Sequence, residues 1–201
     1  DQRPRGGAGR QQETGDIMTD KTADKPIAFL DLPAQQKRLG PALRARVDAV
    51  LDHCRFVMGP EVAELEQRLA DWCGAKECVG VSSGTDALQI VMMAEGIGRG
   101  DAVFLPAFTY TATAEVPLVL GATPVFVDVD PNTFQIDPEH LRARIRAVKE
   151  AGKLTARAIV GVDLFGQPAP WPELRNIAEE EGLFLLADCA QSFGAVLEGK
   201  P

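Results

Sequence analysis

Apolar residues recur along this chain with two different periods. Leu39, Leu43, Val47 and Val50 are spaced by four, four and three residues, one face of a helix. Val62, Leu65, Leu69 and Trp72 repeat that spacing after a break at Gly59-Pro60. Short apolar runs rich in β-branched residues then predict strands over CVGVSS (78–83), AVFLP (102–106), TPVFVDV (123–129), ARAIVGVDL (156–164) and LFLLAD (183–188). Helical spacing fills the intervals: TDALQIVMMAEG (85–96), residues 111–120, 138–151 and PELRNIAEEEG (172–182). Strands alternating with helices predict an α/β fold, a three-layer α/β/α sandwich around a mostly parallel sheet covered on both faces. No internal repeat is evident.

Residues 1–25 carry neither period and almost no apolar residue, so they read as a disordered N-terminal extension before a domain over 26–201. Position 1 is not Met, and Met18 precedes a plausible polar N-terminus, which makes Met18 the expected start of translation. The chain has 201 residues and a formal charge of −8, from 21 Lys and Arg against 29 Asp and Glu. That balance argues against a nucleic-acid binder, which needs surplus cations. No apolar run approaches a membrane span. Cys54, Cys73, Cys78 and Cys189 lack zinc-knuckle spacing and come with two His only, so no metal site is expected. They read as buried or incidental thiols in a reducing cytoplasm.

In a parallel α/β sheet, ligands gather at the carboxyl ends of the strands. Three such places stand out. Ser82-Ser83-Gly84-Thr85-Asp86 opens a helix, where free amides, hydroxyls and the helix dipole suit a phosphate; an ordinary N-cap has the same composition. Pro106-Ala107-Phe108-Thr109-Tyr110 puts two aromatics past a strand end, able to stack on a planar ring or simply to fill core. Asp188-Cys189-Ala190-Gln191 follows a buried strand, where a carboxylate needs a cation, such as a protonated ring nitrogen, or a capping role. Gly96-Ile97-Gly98-Arg99-Gly100 imitates a dinucleotide loop but follows a helix and precedes a strand, the wrong order; Gly96 or Gly98 reads as a left-handed helix cap. An anion seat, a ring face and an acid together meet the three needs of pyridoxal 5'-phosphate.

The segments GPEVAELEQRLADWCGAK, SSGTDALQI, GDAVFLPAFTYTATAE, GATPVFVDVDPNTFQID, LFGQPA and ADCAQSFGA, in this order, resemble the DegT/StrS family of sugar aminotransferases, which are fold-type I pyridoxal phosphate enzymes. The opening FLDLPAQQ, with GTDALQI and ADCAQSFGA, is most similar to members that aminate UDP-2-acetamido-2-deoxy-3-oxo-glucuronate for cell-surface polysaccharides such as O-antigen. The resemblance implies the N-terminal part of a large cofactor-binding domain. Gly84, Thr85 and Asp86 match the phosphate motif. Tyr110, with Phe108 as fallback, matches the ring cover. Asp188 matches the acid on the pyridine nitrogen, and Gln191 matches the residue near the phenolic oxygen. It further implies glutamate and a nucleotide sugar as substrates, a homodimer and a cytoplasmic location.

Two departures bear on this reading. Asp163 stands where the family often has His, and Ala187-Asp188-Cys189 replaces the more usual Glu-Asp-Ala. The family's Lys, which holds the cofactor covalently and shuttles a proton, falls beyond Pro201. None of the lysines here matches it, and Lys200 fits a turn preceding that motif. The expectation is therefore an N-terminal fragment with no catalytic residue of its own. A relative with His at that place removes a sugar hydroxyl instead, so a sugar dehydratase of the same family is the alternative. A regulatory or otherwise non-catalytic module is a further one.

Overall fold

The computed structural model describes residues 29–199. The expected extension over 1–25 and the expected start at Met18 lie outside the described residues. The chain divides into two compact units, Asp1–Phe56 and Val57–Pro201. In the first, helix α1 spans Leu32–His53, capped by the Asp31 carboxylate on the Ala34 amide at 3.0 Å and ended by Cys54 in the left-handed region. The predicted stripe of Leu39, Leu43 and Val47 is helical, but each residue keeps about half of its surface exposed.

The second unit runs α2 (Pro60–Cys73), α3 (Gly84–Ala94), β1 (Asp101–Pro106), α4 (Ala112–Val119), β2 (Thr123–Val127), α5 (Pro138–Ala151), β3 (Thr155–Val162), α6 (Trp171–Glu181) and β4 (Phe184–Asp188). A 3-10 turn, Leu164–Gly166, follows β3. The four strands pair in parallel in the order β2-β1-β3-β4. From β1 the chain steps one way to β2, then crosses back to build β3 and β4 on the other side. Crossovers of one hand therefore put α4 on one face and α5 and α6 on the opposite face.

Two apolar clusters record this division. Phe104, Val125, Val127, Ile159, Leu141, Ile145, Leu174 and Ile177 pack on the α5–α6 face. Val103, Leu105, Val160, Leu88, Met92 and Val116 pack on the α3–α4 face. Adjacent residues of β1 and β3 alternate between the clusters, as the two-residue period of a strand requires. Both faces being covered is why the strands read as continuous apolar runs. The three-layer α/β/α architecture is the one expected.

Residues 78–83 are a correction. They are irregular, bend at Ser82 and belong to no ladder. The Gly80 amide donates instead to the Glu66 carboxylate at 2.7 Å, and Val79 is 75% exposed. A strand exists by pairing, and no described strand lies alongside this segment. Of the two readings of the thiols, incidental fits and buried does not: Cys54, Cys73 and Cys189 are exposed and Cys78 is half-buried, all four free. Nothing in their local sequence reports burial. The Gly96 cap forms as expected. Gly96 has φ +68°, its amide donates to Met93 O, and the Ile97 amide reaches back to Met92 O, each at 3.0 Å. Ile97 and Met92 are both buried, which completes this left-handed helix end.

Candidate active site

The reversal in strand order falls between β1 and β3, and a crevice opens there at the carboxyl ends of the strands. A cleft of about 320 Å³ occupies it. Its wall is drawn from four places. Gly84 and Thr85 come from the first turn of α3, and Thr109 and Tyr110 from the loop after β1. Val162 ends β3; Asp188 ends β4 and is followed by Ala190 and Gln191. The register pairs Val162 with Asp188, so the acid sits at the carboxyl end of β4, beside the end of β3.

Each polar group of the wall is set locally. Ser83 caps α3 by accepting the Asp86 amide at 3.1 Å, and the hydroxyls of Ser82 and Ser83 donate to the Asp86 carboxylate. This reciprocal cap satisfies one of the first-turn amides and leaves those of Gly84 and Thr85 pointing out of the helix end. A Cβ built on Gly84 meets nothing within 4 Å, so the approach to those amides is open. At the other end, the Ala190 amide donates to Asp188 Oδ1 at 3.2 Å, which leaves Oδ2 able to accept a further proton donor. The Phe165 amide donates to Gln191 Oε1 at 2.6 Å, so Nε2 is the group Gln191 can offer. Thr109 Oγ1 is enclosed and has no hydrogen-bond partner.

The cleft gathers five of the seven expected residues: Gly84, Thr85, Tyr110, Asp188 and Gln191. Asp86 and Phe108 are not on its wall. Asp86 is turned back into its serines. Phe108 packs against Phe134 and Phe165 with ring centroids 5.9 and 6.2 Å away. Thr109, between the two aromatics of the loop after β1, is on the wall without being among the expected residues; nothing in its local sequence sets it apart. Asp163 was noticed only as a departure from the family. Yet it too closes a buried apolar strand, the same signal that singled out Asp188. It is buried, and its carboxylate accepts from the Ala169 amide, Trp171 Nε1 and Ser192 Oγ.

Two of the shifted ionisable groups lie beside the cleft. The Ser82 and Ser83 hydroxyls hold the Asp86 carboxyl below its ordinary value of 3.8. A depressed carboxylate contributes stability that is fully present above its unfolded value and is lost as pH falls through the folded one. The unfolding midpoints of wild type and Asp86→Asn are therefore expected to differ by a constant amount above pH 3.8. The difference should shrink below that pH, and urea titrations across the acid range measure it. Desolvation, followed by the charge of Asp163, pushes the Cys189 thiol up, which makes it a poor nucleophile despite its place beside the cleft. Among the described residues no cluster of His, Cys, Asp and Glu could hold a metal ion. No described helix is long and apolar enough to cross a membrane.

A helix N-terminus, an aromatic face and an acid, brought together at the switch point of a parallel sheet, define the class: a fold-type I transferase architecture. Residues 38–201 match the model of the DegT/DnrJ/EryC1/StrS aminotransferase family, and the chain belongs to that family. It is 48% identical over 174 residues to the UDP-2-acetamido-2-deoxy-3-oxo-D-glucuronate aminotransferase of Pseudomonas aeruginosa, covering 87% of this chain and 46% of that protein. Over the same length it is 41% identical to a protein of Geobacillus stearothermophilus named pleiotropic regulatory protein, covering 87% of this chain and 45% of the other. Among solved structures, a DegT DnrJ EryC1 StrS aminotransferase from Brucella abortus superposes with a TM-score of 0.83 at 46% identity, covering 84% of this chain and 45% of that one. The chain thus spans about half the length of the curated relatives it matches.

Proposed function

We propose that the protein carrying this chain is a pyridoxal phosphate-dependent nucleotide-sugar aminotransferase. It moves an amino group from glutamate to a keto sugar, a UDP-linked 3-oxo sugar in cell-surface polysaccharide synthesis, and it works as a cytoplasmic homodimer. The observation that carries this reading is the single cleft lined by Gly84, Thr85, Tyr110, Asp188 and Gln191. The relative from Pseudomonas aeruginosa supports the sugar and the chemistry.

The residues present fit the cofactor. The open Gly84 and Thr85 amides at the head of α3 suit a phosphate, helped by the helix dipole. Tyr110 offers a ring face at the cleft wall. Asp188 has an oxygen left for a ring N–H, and Gln191 Nε2 can donate to a phenolic oxygen. Bound pyridoxal phosphate supplies an electron sink for the pair released when a bond to the substrate carbon breaks. Asp188 keeps a proton on the ring nitrogen, because its negative charge in a partly apolar crevice favours the cationic form. The apolar wall of Leu88, Ala112 and Val162 excludes water from the same side. The Lys that moves the proton at the substrate carbon is expected beyond Pro201.

The direct test uses the full-length protein. Glutamate alone should change the absorbance of the bound cofactor, and a UDP-linked 3-oxo sugar should restore it. No spectral response to glutamate would sink the aminotransferase reading. Tyr110→Ala is expected to weaken pyridoxal phosphate by about 2- to 10-fold, the worth of one aromatic stack, with Tyr110→Phe near wild type. Equilibrium dialysis measures both. A second reading, a regulator that keeps the fold without turnover, is favoured by the name of the relative from Geobacillus stearothermophilus. It predicts cofactor binding without the glutamate response.

A further inference from the structure

Asp163 stands one residue past β3 and is 5% exposed, yet it does not line the cleft. Its two oxygens take three hydrogen bonds from separate stretches of chain. Oδ1 accepts from the Ala169 amide at 2.7 Å and from Trp171 Nε1 at 3.0 Å. Oδ2 accepts from Ser192 Oγ at 2.6 Å. A carboxylate this buried persists only with its hydrogen bonds made.

Both groups of bonds lead to Gln191. Ser192 is its chain neighbour, itself buried. The other two bonds fix the far end of the segment from Leu164 to Trp171, while the near end is closed by the Gly166 amide on Asp163 O at 3.2 Å. Between these ends lies Phe165, a bulky residue in the left-handed region at φ +59°. Its amide is the one that holds Gln191 Oε1. Gly166, at φ +82°, lies so close that a Cβ there would stand 3.1 Å from Gln191 O. A left-handed phenylalanine is unfavourable and survives where its surroundings over-determine it. The bonds of Asp163 at both ends of this turn provide that constraint.

We propose that Asp163 is a positioning residue: by bonding Ser192 on one side and Ala169 with Trp171 on the other, it clamps the Phe165 turn onto Gln191. The clamp fixes which end of the Gln191 carboxamide faces the cleft. Its effect on cofactor rests on the reading that the cleft takes pyridoxal phosphate; the clamp itself does not.

The test compares Asp163→Ala, Asp163→Asn and Ser192→Ala in the full-length protein. Without cofactor, hydrogen exchange of the Phe165 amide is expected to accelerate about tenfold in Ser192→Ala, which loses one hydrogen bond of the clamp, and at least as much in Asp163→Ala, which loses all three. Asp163→Asn should fall between them and wild type, since its carbonyl can still accept from Ala169 and Trp171. With cofactor, the dissociation constant of pyridoxal phosphate should rise by a similar factor in the two alanine variants. The pH midpoint between the absorbance bands of the bound cofactor should move as well. Wild-type exchange at Phe165 in variants that melt lower would overturn the clamp and leave Asp163 a stabilising role alone. Where Asp163→Ala does not fold, Ser192→Ala, which leaves two of the three bonds, decides by the same exchange measurement. A wild-type protein that binds no pyridoxal phosphate would defeat the functional reading, while the exchange data would still decide the clamp.

Discussion

Asp188→Asn in the full-length protein is expected to lower kcat by about 100- to 1,000-fold, the scale of losing one preorganised electrostatic partner in an active site. The amide keeps the size of the acid and can still accept the Ala190 amide, so the turn after β4 should keep its shape. What it lacks is the negative charge that, in the proposed function, would hold a proton on the ring nitrogen. The loss should therefore appear in kcat, with KM for both substrates near wild type. A variant with wild-type turnover would remove Asp188 from the chemistry and leave it a cap for the segment that follows.

A second large effect lies away from the cleft. Gly161 sits in β3 opposite Ala187, on the face covered by α6. A Cβ there would lie 2.6 Å from the Trp171 ring and 2.9 Å from Leu174 Cδ1. Leu174 can turn aside. The indole cannot swing freely, because its Nε1 donates to Asp163. Gly161→Ala is therefore expected to destabilise by about 1–3 kcal/mol, the usual scale of overpacking a filled core. Trp171→Phe removes the outer ring atoms that clash, so the same substitution made on that background should cost clearly less. Urea unfolding of the four proteins measures the coupling, and strictly additive losses would show that the contact is relieved elsewhere.

Much of this could be read from the amino-acid sequence. The strands β1 to β4 and the helices from α3 to α6 fall within a residue or two of their expected places, because each buried run is apolar and each helix carries its own period. Residues 78–83 carry the same apolar signal as β1. What they lack is a neighbour, and a local pattern reports propensity, not pairing. Of the seven expected site residues, Phe108, Tyr110, Asp188 and Gln191 stand at or just past strand ends, and Gly84, Thr85 and Asp86 open α3. Five share the cleft; Asp86 is turned to the hydroxyls of Ser82 and Ser83, and Phe108 packs on Phe134 and Phe165. Asp163 was opaque for a different reason. Its partners stand 6, 8 and 29 residues away, and only the folded chain shows that one buried carboxylate serves all three.

The strand order also has a consequence for synthesis. β1 and β2 are neighbours in sequence and in space, so their pairing can form while the chain is still being made. The first turn of α3, with Gly84 and Thr85, leaves the ribosome early as well. Asp188, by contrast, ends β4, the last strand among the described residues, which reaches β1 only through β3. A ligand that touches both ends of the cleft stabilises only nascent chains that have already grown past β4. The cofactor of the proposed function is thus expected to protect long nascent chains from protease and to leave shorter ones unprotected, even though they already carry Gly84, Thr85 and Tyr110.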